Sequence, residues 1–95
     1  MSKDYNFNYA FLFYDVNEKR VNKVFKVCKK YLNHFQKSVF RGAISPSKLI
    51  KLKSDLNKVV DKSEDFICIL KMMSENRFEE EIIGCSKEMS EELII

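Results

Sequence analysis

With 95 residues, 45% of them hydrophobic, and only two Gly and one Pro, the chain is long enough for one core and too short for two. Eight Phe and four Tyr exclude disorder of the whole chain, and the scarcity of turn formers argues against a many-stranded β-sandwich. The net charge of +3 conceals a separation: residues 17–62 hold thirteen Lys and Arg against three acids, a net of +10, and residues 63–95 hold three against nine, a net of −6.

A basic block of that length suits a polyanion, although lysines that merely solubilise the surface account for it equally well. The acidic C-terminal part is a poor surface for DNA and is expected to face protein or solvent. The opening octapeptide, "MSKDYNFN", is a polar extension without a signal-type apolar core. No stretch reaches the eighteen or so apolar residues of a membrane span. The expectation is a cytoplasmic chain with no membrane segment, with its folded domain at 9–84 and a tail at 85–95.

Residues 9–15, "YAFLFYD", are too short for a buried helix and rich in aromatics. They read as a central strand buried on both faces. In the following helix Val21, Val24, Phe25, Cys28, Tyr31 and Leu32 form one apolar stripe, and Lys19, Lys23, Lys26 and Lys30 another face. Asn17 is the expected N-cap, with Glu18 at the positive end of the helix. Residues 34–44, "HFQKSVFRGAI", read as extended chain, either one bulged strand or a tight hairpin. "SPSKL" announces a second helix, with Ser45 as N-cap and Pro46 at the first helical position. Leu49, Leu52, Leu56, Val59 and Val60 are its buried stripe, and Lys48, Lys51 and Lys58 lie off it. "DFICILKM", 65–72, reads as a strand, "SEN" as a turn, and "RFEEEIIG", 77–84, as a charged edge strand. The tail ends in "LII", an apolar tip that suits docking on a partner. Strand, helix, strand or hairpin, helix, strand, strand gives an α+β, ferredoxin-like sandwich: two helices on one face of a mainly antiparallel sheet.

For chemistry the residue types offer little. There is no Gly-rich phosphate loop and no Ser-His-Asp set. Three cysteines lack any CxxC spacing, so Cys28 and Cys68 read as small core residues, and the lone His34 has no metal-ligating neighbour. That leaves carboxylates. Asp15 stands at the carboxyl end of the first strand, where α/β-type sheets often place ligands. One carboxylate is too few for a closed cage, but Mg²⁺ is often held by one or two, with waters and substrate phosphates completing its shell. By residue type alone Asp15 is either a helix-capping acid or such a ligand, and capping is the simpler reading.

The stretch "FYDVNEKRVNKVFKVCKKYLNHFQKSVFRGAI" resembles the family of CRISPR-associated protein two. The likeness rests on an apolar strand ending in Tyr14-Asp15-Val16, on Lys19-Arg20, on Gln36, Ser38, Val39 and Phe40, on the Lys-bearing second helix, on "DFICILKM", and on Ile82 to Gly84. It covers residues 9–84. The resemblance implies a ferredoxin-like homodimer whose C-terminal strands complete the partner's sheet. It also implies Mg²⁺-dependent endonuclease activity on single-stranded RNA or duplex DNA, with paired Asp15 residues holding the metal near the dimer axis. A second implied role is structural: the dimer bridges the CRISPR-associated integrase and supports DNA during spacer acquisition. Lys19, Arg20, Lys23 and Arg41 are the candidate phosphate contacts, and Tyr14, Ser38 and Phe40 the candidate supports of the site. Arg41 departs from the family pattern, which usually has an acid or small residue there. The alternative is a ferredoxin-like regulatory or partner-binding module without nuclease activity.

Overall fold

A computed structural model describes residues 7–73 and 78–84. The expected "SEN" turn, the start of the N-terminal extension and the docking tail fall outside the described residues. Seven elements follow one another: β1 (Phe7–Asp15), α1 (Val21–Tyr31), β2 (Asn33–Gln36), β3 (Val39–Ala43), α2 (Pro46–Val59), β4 (Phe66–Met73) and β5 (Phe78–Gly84). The sheet runs β2-β3-β1-β4-β5 with every neighbouring pair antiparallel. The first four strands are the ferredoxin-like arrangement, and β5 extends it beside β4 as an edge. β1 begins two residues earlier than the sequence pattern suggests.

Alternation along β1 sets the two faces. Ala10, Leu12 and Tyr14 are buried beneath the helices, where they join Val24, Cys28, Phe40, Leu49, Leu52, Leu56, Ile67 and Ile69 in one core. Tyr9, Phe11 and Phe13 point the other way and are half-buried. This corrects the expectation of a strand buried on both faces. Both described helices lie on one side of the sheet; on the other, Tyr9, Phe11 and Phe13 are half-buried rather than fully buried, while Phe66 and Cys68 of β4, paired with Asp15 and Phe13, are buried. The three rings pack edge to face along the strand, with centroids 5.8 Å and 6.4 Å apart, a geometry worth about 0.5–1.5 kcal/mol per pair beyond area burial.

Residues 34–44 prove to contain a hairpin. Its two-residue turn is possible because Lys37 adopts a left-handed φ of 46°, and His34 Nε2 is 2.8 Å from the Lys37 carbonyl oxygen across it. A register irregularity between His34 and Gln36 supplies the bulge that the single-strand alternative also invoked. The Ser45 cap is present as expected, its Oγ accepting from the Lys48 amide at 3.3 Å, with Pro46 opening α2. The Asn17 cap is not. α1 starts four residues later, at Val21, with Arg20 at the N-cap position and no side-chain capping bond. Asn17 instead heads a turn, accepting the Lys19 amide on its side chain at 2.9 Å and the Arg20 amide on its carbonyl at 2.8 Å. Its own N–H is drawn to the distant Asp65, which bends the chain away from helical geometry at that point.

The close of β5 is sterically fixed. Gly84 has φ +124°, and a Cβ there would lie 1.8 Å from the Asp65 carbonyl oxygen and 2.7 Å from Phe66 Cα. Both obstacles are backbone, so no side-chain rotation relieves them. Gly84→Ala is therefore expected to pull the end of β5 from β4 and to destabilise the protein by about 1–3 kcal/mol. Thermal melts of the two proteins test this, and equal melting temperatures would show that β5 does not pack there.

Candidate functional site

The odd-numbered residues of β1 share a face, so Asp15 continues the row Tyr9, Phe11, Phe13 at its carboxyl end. It is exposed, lies opposite Phe66 of β4, and its carboxylate makes no hydrogen bond or ion pair among the described residues. It does not cap α1. An unpaired acid thus stands at the rim of the sheet face turned away from α1 and α2.

The candidate supports converge on the residue before it. The Tyr14 amide donates to the Ser38 carbonyl at 3.1 Å, and the Tyr14 ring stacks on Phe40 at 6.2 Å. Tyr14 and Phe40 are both core side chains. Burial, and secondarily Cys28, pushes the Tyr14 phenol above its ordinary value, so it stays protonated. These residues hold the end of β1 through packing and backbone bonding, and the hairpin turn clips onto β1 one residue before Asp15.

The candidate phosphate contacts divide between two layers. Lys19 and Lys23 are exposed on the turn and first part of α1, next to the exposed Lys26, Lys29 and Lys30. Arg41 lies on the open sheet face opposite Phe11, its guanidinium 4.0 Å above the Phe35 ring. Arg20 is committed elsewhere: Nε donates to Asp65 Oδ2 at 2.6 Å, and Nη2 to Glu64 at 2.6 Å and Asp65 Oδ1 at 3.2 Å. Its pKa is raised, first by the Asp65 hydrogen bond and then by Glu64.

Asp65 is the residue that sequence reasoning missed, having been read as the start of a strand. It sits in the loop before β4, is only 1% exposed, and accepts from Arg20 and from the Asn17 and Asp61 amides, both at 2.8 Å. Burial pushes its carboxyl up, but the Arg20 hydrogen bond and the two amides outweigh it and hold the group below the ordinary value of 3.8. The one local signal is an acid directly before an apolar strand, the reverse of the Asp15 pattern. In β5, opposite Ile69, Glu81 bonds Lys53 at 2.6 Å and also pairs with Lys71. Cys28 and Cys68 are buried free thiols, as expected, and burial pushes Cys28 up to about 12. No three His, Cys, Asp or Glu among the described residues are grouped to hold a metal ion.

Comparison with known proteins bears on this arrangement. The family model described as CRISPR associated protein Cas2 matches residues 8–80. The CRISPR-associated endoribonuclease Cas2 of Thermotoga maritima is 42% identical over 79 residues, spanning 83% of this chain and 91% of its own length. A second such protein, from Thermodesulfovibrio yellowstonii, is 39% identical over 82 residues, 86% of this chain and 93% of that one. A crystal structure of Cas2 superimposes with a TM-score of 0.68 at 36% identity, covering 84% and 90% of the two chains. That of Streptococcus pyogenes Cas2 at pH 6.5 gives 0.58 at 26% identity, covering 88% and 93%.

The depressed Asp65 carboxyl carries a pH dependence of definite sign. A group whose folded pKa lies below its unfolded one stabilises fully above the unfolded value of 3.8 and loses that stabilisation as pH falls through the folded value. The melting temperature should therefore change little between neutrality and about pH 5 and fall in stronger acid. Asp65→Asn should melt several degrees lower at pH 7 and approach the parent at pH 3. A constant gap between the two proteins across that range would show that the carboxylate charge is not what stabilises.

Proposed function

Because the chain belongs to the CRISPR associated protein Cas2 family, we propose that it is a homodimeric, Mg²⁺-dependent endoribonuclease of the CRISPR adaptation machinery, working in the cytoplasm, with Asp15 as its metal ligand. The observation that carries this reading is the placement of Asp15. It ends a row of half-buried aromatics on the face that the helices leave uncovered. Such a face is stabilised by being covered. A second copy laid on it about a two-fold axis buries Tyr9, Phe11 and Phe13 and brings two unpaired Asp15 carboxylates towards each other. Paired carboxylates without competing cations are the donor set that Mg²⁺ accepts.

When bound, Mg²⁺ supplies charge neutralisation at the scissile phosphate and a water of lowered pKa. The chain's own residues then have simple tasks. Asp15 would hold the ion. Tyr14, through its backbone bond to Ser38 and its packing on Phe40, holds Asp15. Lys19, Lys23 and Arg41 meet phosphates on either side. With no second acid or base beside Asp15 among the described residues, proton transfer is left to water, and turnover is slow. Asp15→Asn should abolish cleavage of single-stranded RNA while leaving the dimer and the melting temperature intact. A variant that cuts as fast as the parent assigns the activity elsewhere.

A second role is favoured by the basic outer face of the helices, where Lys23, Lys26, Lys29, Lys30, Lys48, Lys51 and Lys58 are all exposed. That layer suits the phosphates of a duplex, as expected of a subunit that bridges the CRISPR-associated integrase while DNA is inserted as a spacer. Duplex affinity measured with the integrase present should fall steeply with salt. Each of Lys19→Ala, Lys23→Ala and Arg41→Ala should lower the log–log salt slope by about one, uniformly across sequences. Affinity that ignores salt would remove this role and leave a partner-binding module.

A further inference from the structure

Nothing among the described residues bonds the Asp15 carboxylate, so its position is set by the backbone on either side. Before it lies the β1–β4 ladder, in which Asp15 faces Phe66. After it the chain must leave the sheet and turn into α1. Two groups of that connection, the Asn17 amide and the Arg20 side chain, end on one carboxylate, and that carboxylate belongs to Asp65, the residue before Phe66. The Asp61 amide fixes the same carboxylate from its own loop. A buried charge met by four donors has a single low-energy geometry, because any displacement leaves part of it unsatisfied.

We propose that Asp65 is a positioning residue for Asp15: acting with Arg20, it fixes the β1–α1 connection and so sets the height and angle at which the Asp15 carboxylate leaves the sheet. The role rests on the reading of Asp15 as metal ligand. Two copies that share one ion must place their carboxylates to within about 0.5 Å, and a connection tethered only at the ends of β1 and α1 does not hold that tolerance. The same bonds remove Arg20 from the set that meets phosphate, since its donors point at Asp65 and Glu64. Gly84 packs on the backbone of Asp65 and Phe66, so the far end of the sheet braces the residue that braces Asp15. A second ion pair provides a comparison: Asp55 joins Lys30 and Tyr31 at the opposite end of α1, where it stabilises the helix pair without touching the Asp15 connection.

Full-length protein carrying Asp65→Asn, Arg20→Lys or Asp55→Asn is compared with the parent by backbone NMR, first without metal. In Asp65→Asn the amides of residues 16–20 should exchange about tenfold faster than in the parent, and the Asp15 resonances should move. Arg20→Lys, which keeps one donor, should show the same changes in smaller degree. Asp55→Asn should lower the melting temperature and do neither. Asp15 resonances that coincide in parent and Asp65→Asn, or exchange that rises evenly over the sheet, would make Asp65 a plain core ion pair and overturn the proposal. Should Asp65→Asn not fold, Arg20→Lys decides by the same outcomes. MgCl₂ is then titrated in. Positioning predicts that half-maximal shift of Asp15 needs about tenfold more Mg²⁺ in Asp65→Asn, and equal requirements overturn it. A parent whose Asp15 ignores Mg²⁺ defeats the metal reading itself, while the metal-free comparison still decides whether Asp65 sets the place of Asp15.

Discussion

A carboxylate with almost no access to water, that of Asp65, joins the two crossover connections of this fold. The first crossover leaves β1 and enters α1, and the second leaves α2 and enters β4. Each must turn sharply at the same end of the sheet, and each has amides that no helix or strand satisfies. Asp65 accepts one amide from each and neutralises its own charge on Arg20. Replacing it with an apolar residue would strand three donors in a space without water, which is why such a pair persists although buried ion pairs contribute little net stability. The turn ahead of α1 and the late start of that helix follow from it.

The sheet adds a second constraint. Among the described residues, both helices lie on one face of the sheet. The helix-covered face takes Ala10, Leu12 and Tyr14 together with the leucines of α2. The other keeps Tyr9, Phe11 and Phe13 partly in water, with Arg41 stacked on Phe35 at its margin. Three adjacent aromatic rings are a large apolar area for so small a domain. In the proposed dimer they would be covered by an identical face on a second chain, the partner guaranteed to be at equal concentration. Burial of those rings would favour such a dimer independently of any metal.

Much of this was legible in the chain. The stripes of α1 and α2, the cap at Ser45 with Pro46, and the charged edge β5 are local patterns, and local patterns predict local structure. Asp15 was legible as an acid ending an apolar strand. The row it forms with Tyr9, Phe11 and Phe13 is written in a period of two, yet which face the helices would choose depends on crossover handedness and packing. The failures are non-local. Asn17 has the composition of a cap, and it lost that role because its N–H found Asp65, forty-eight residues away. Asp65 itself looked like the first residue of a strand, since nothing near it in sequence announces Arg20. The hairpin at 34–44 turned on Lys37 accepting a left-handed backbone, which its residue type disfavours and only the pairing of β2 with β3 stabilises.

The charge separation then acquires a structural meaning. Positive charge sits on the outer faces of the helices, where α1 and α2 present lysines to solvent, and Arg41 adds a single cation to the opposite side of the sheet. The acids of the described C-terminal part are drawn inward instead: Asp65 onto Arg20, and Glu81 onto Lys53 and Lys71. Asp15, like Glu18, is an acid left unpaired among the described residues, and it stands at the end of a row of apolar rings. An unpaired carboxylate beside an apolar surface gains nothing from the protomer that holds it. In the proposed dimer, a second copy laid on this face would bring a second carboxylate to the same point. On the proposed reading, a cation shared by two such groups would be what lets the dimer act on a phosphate.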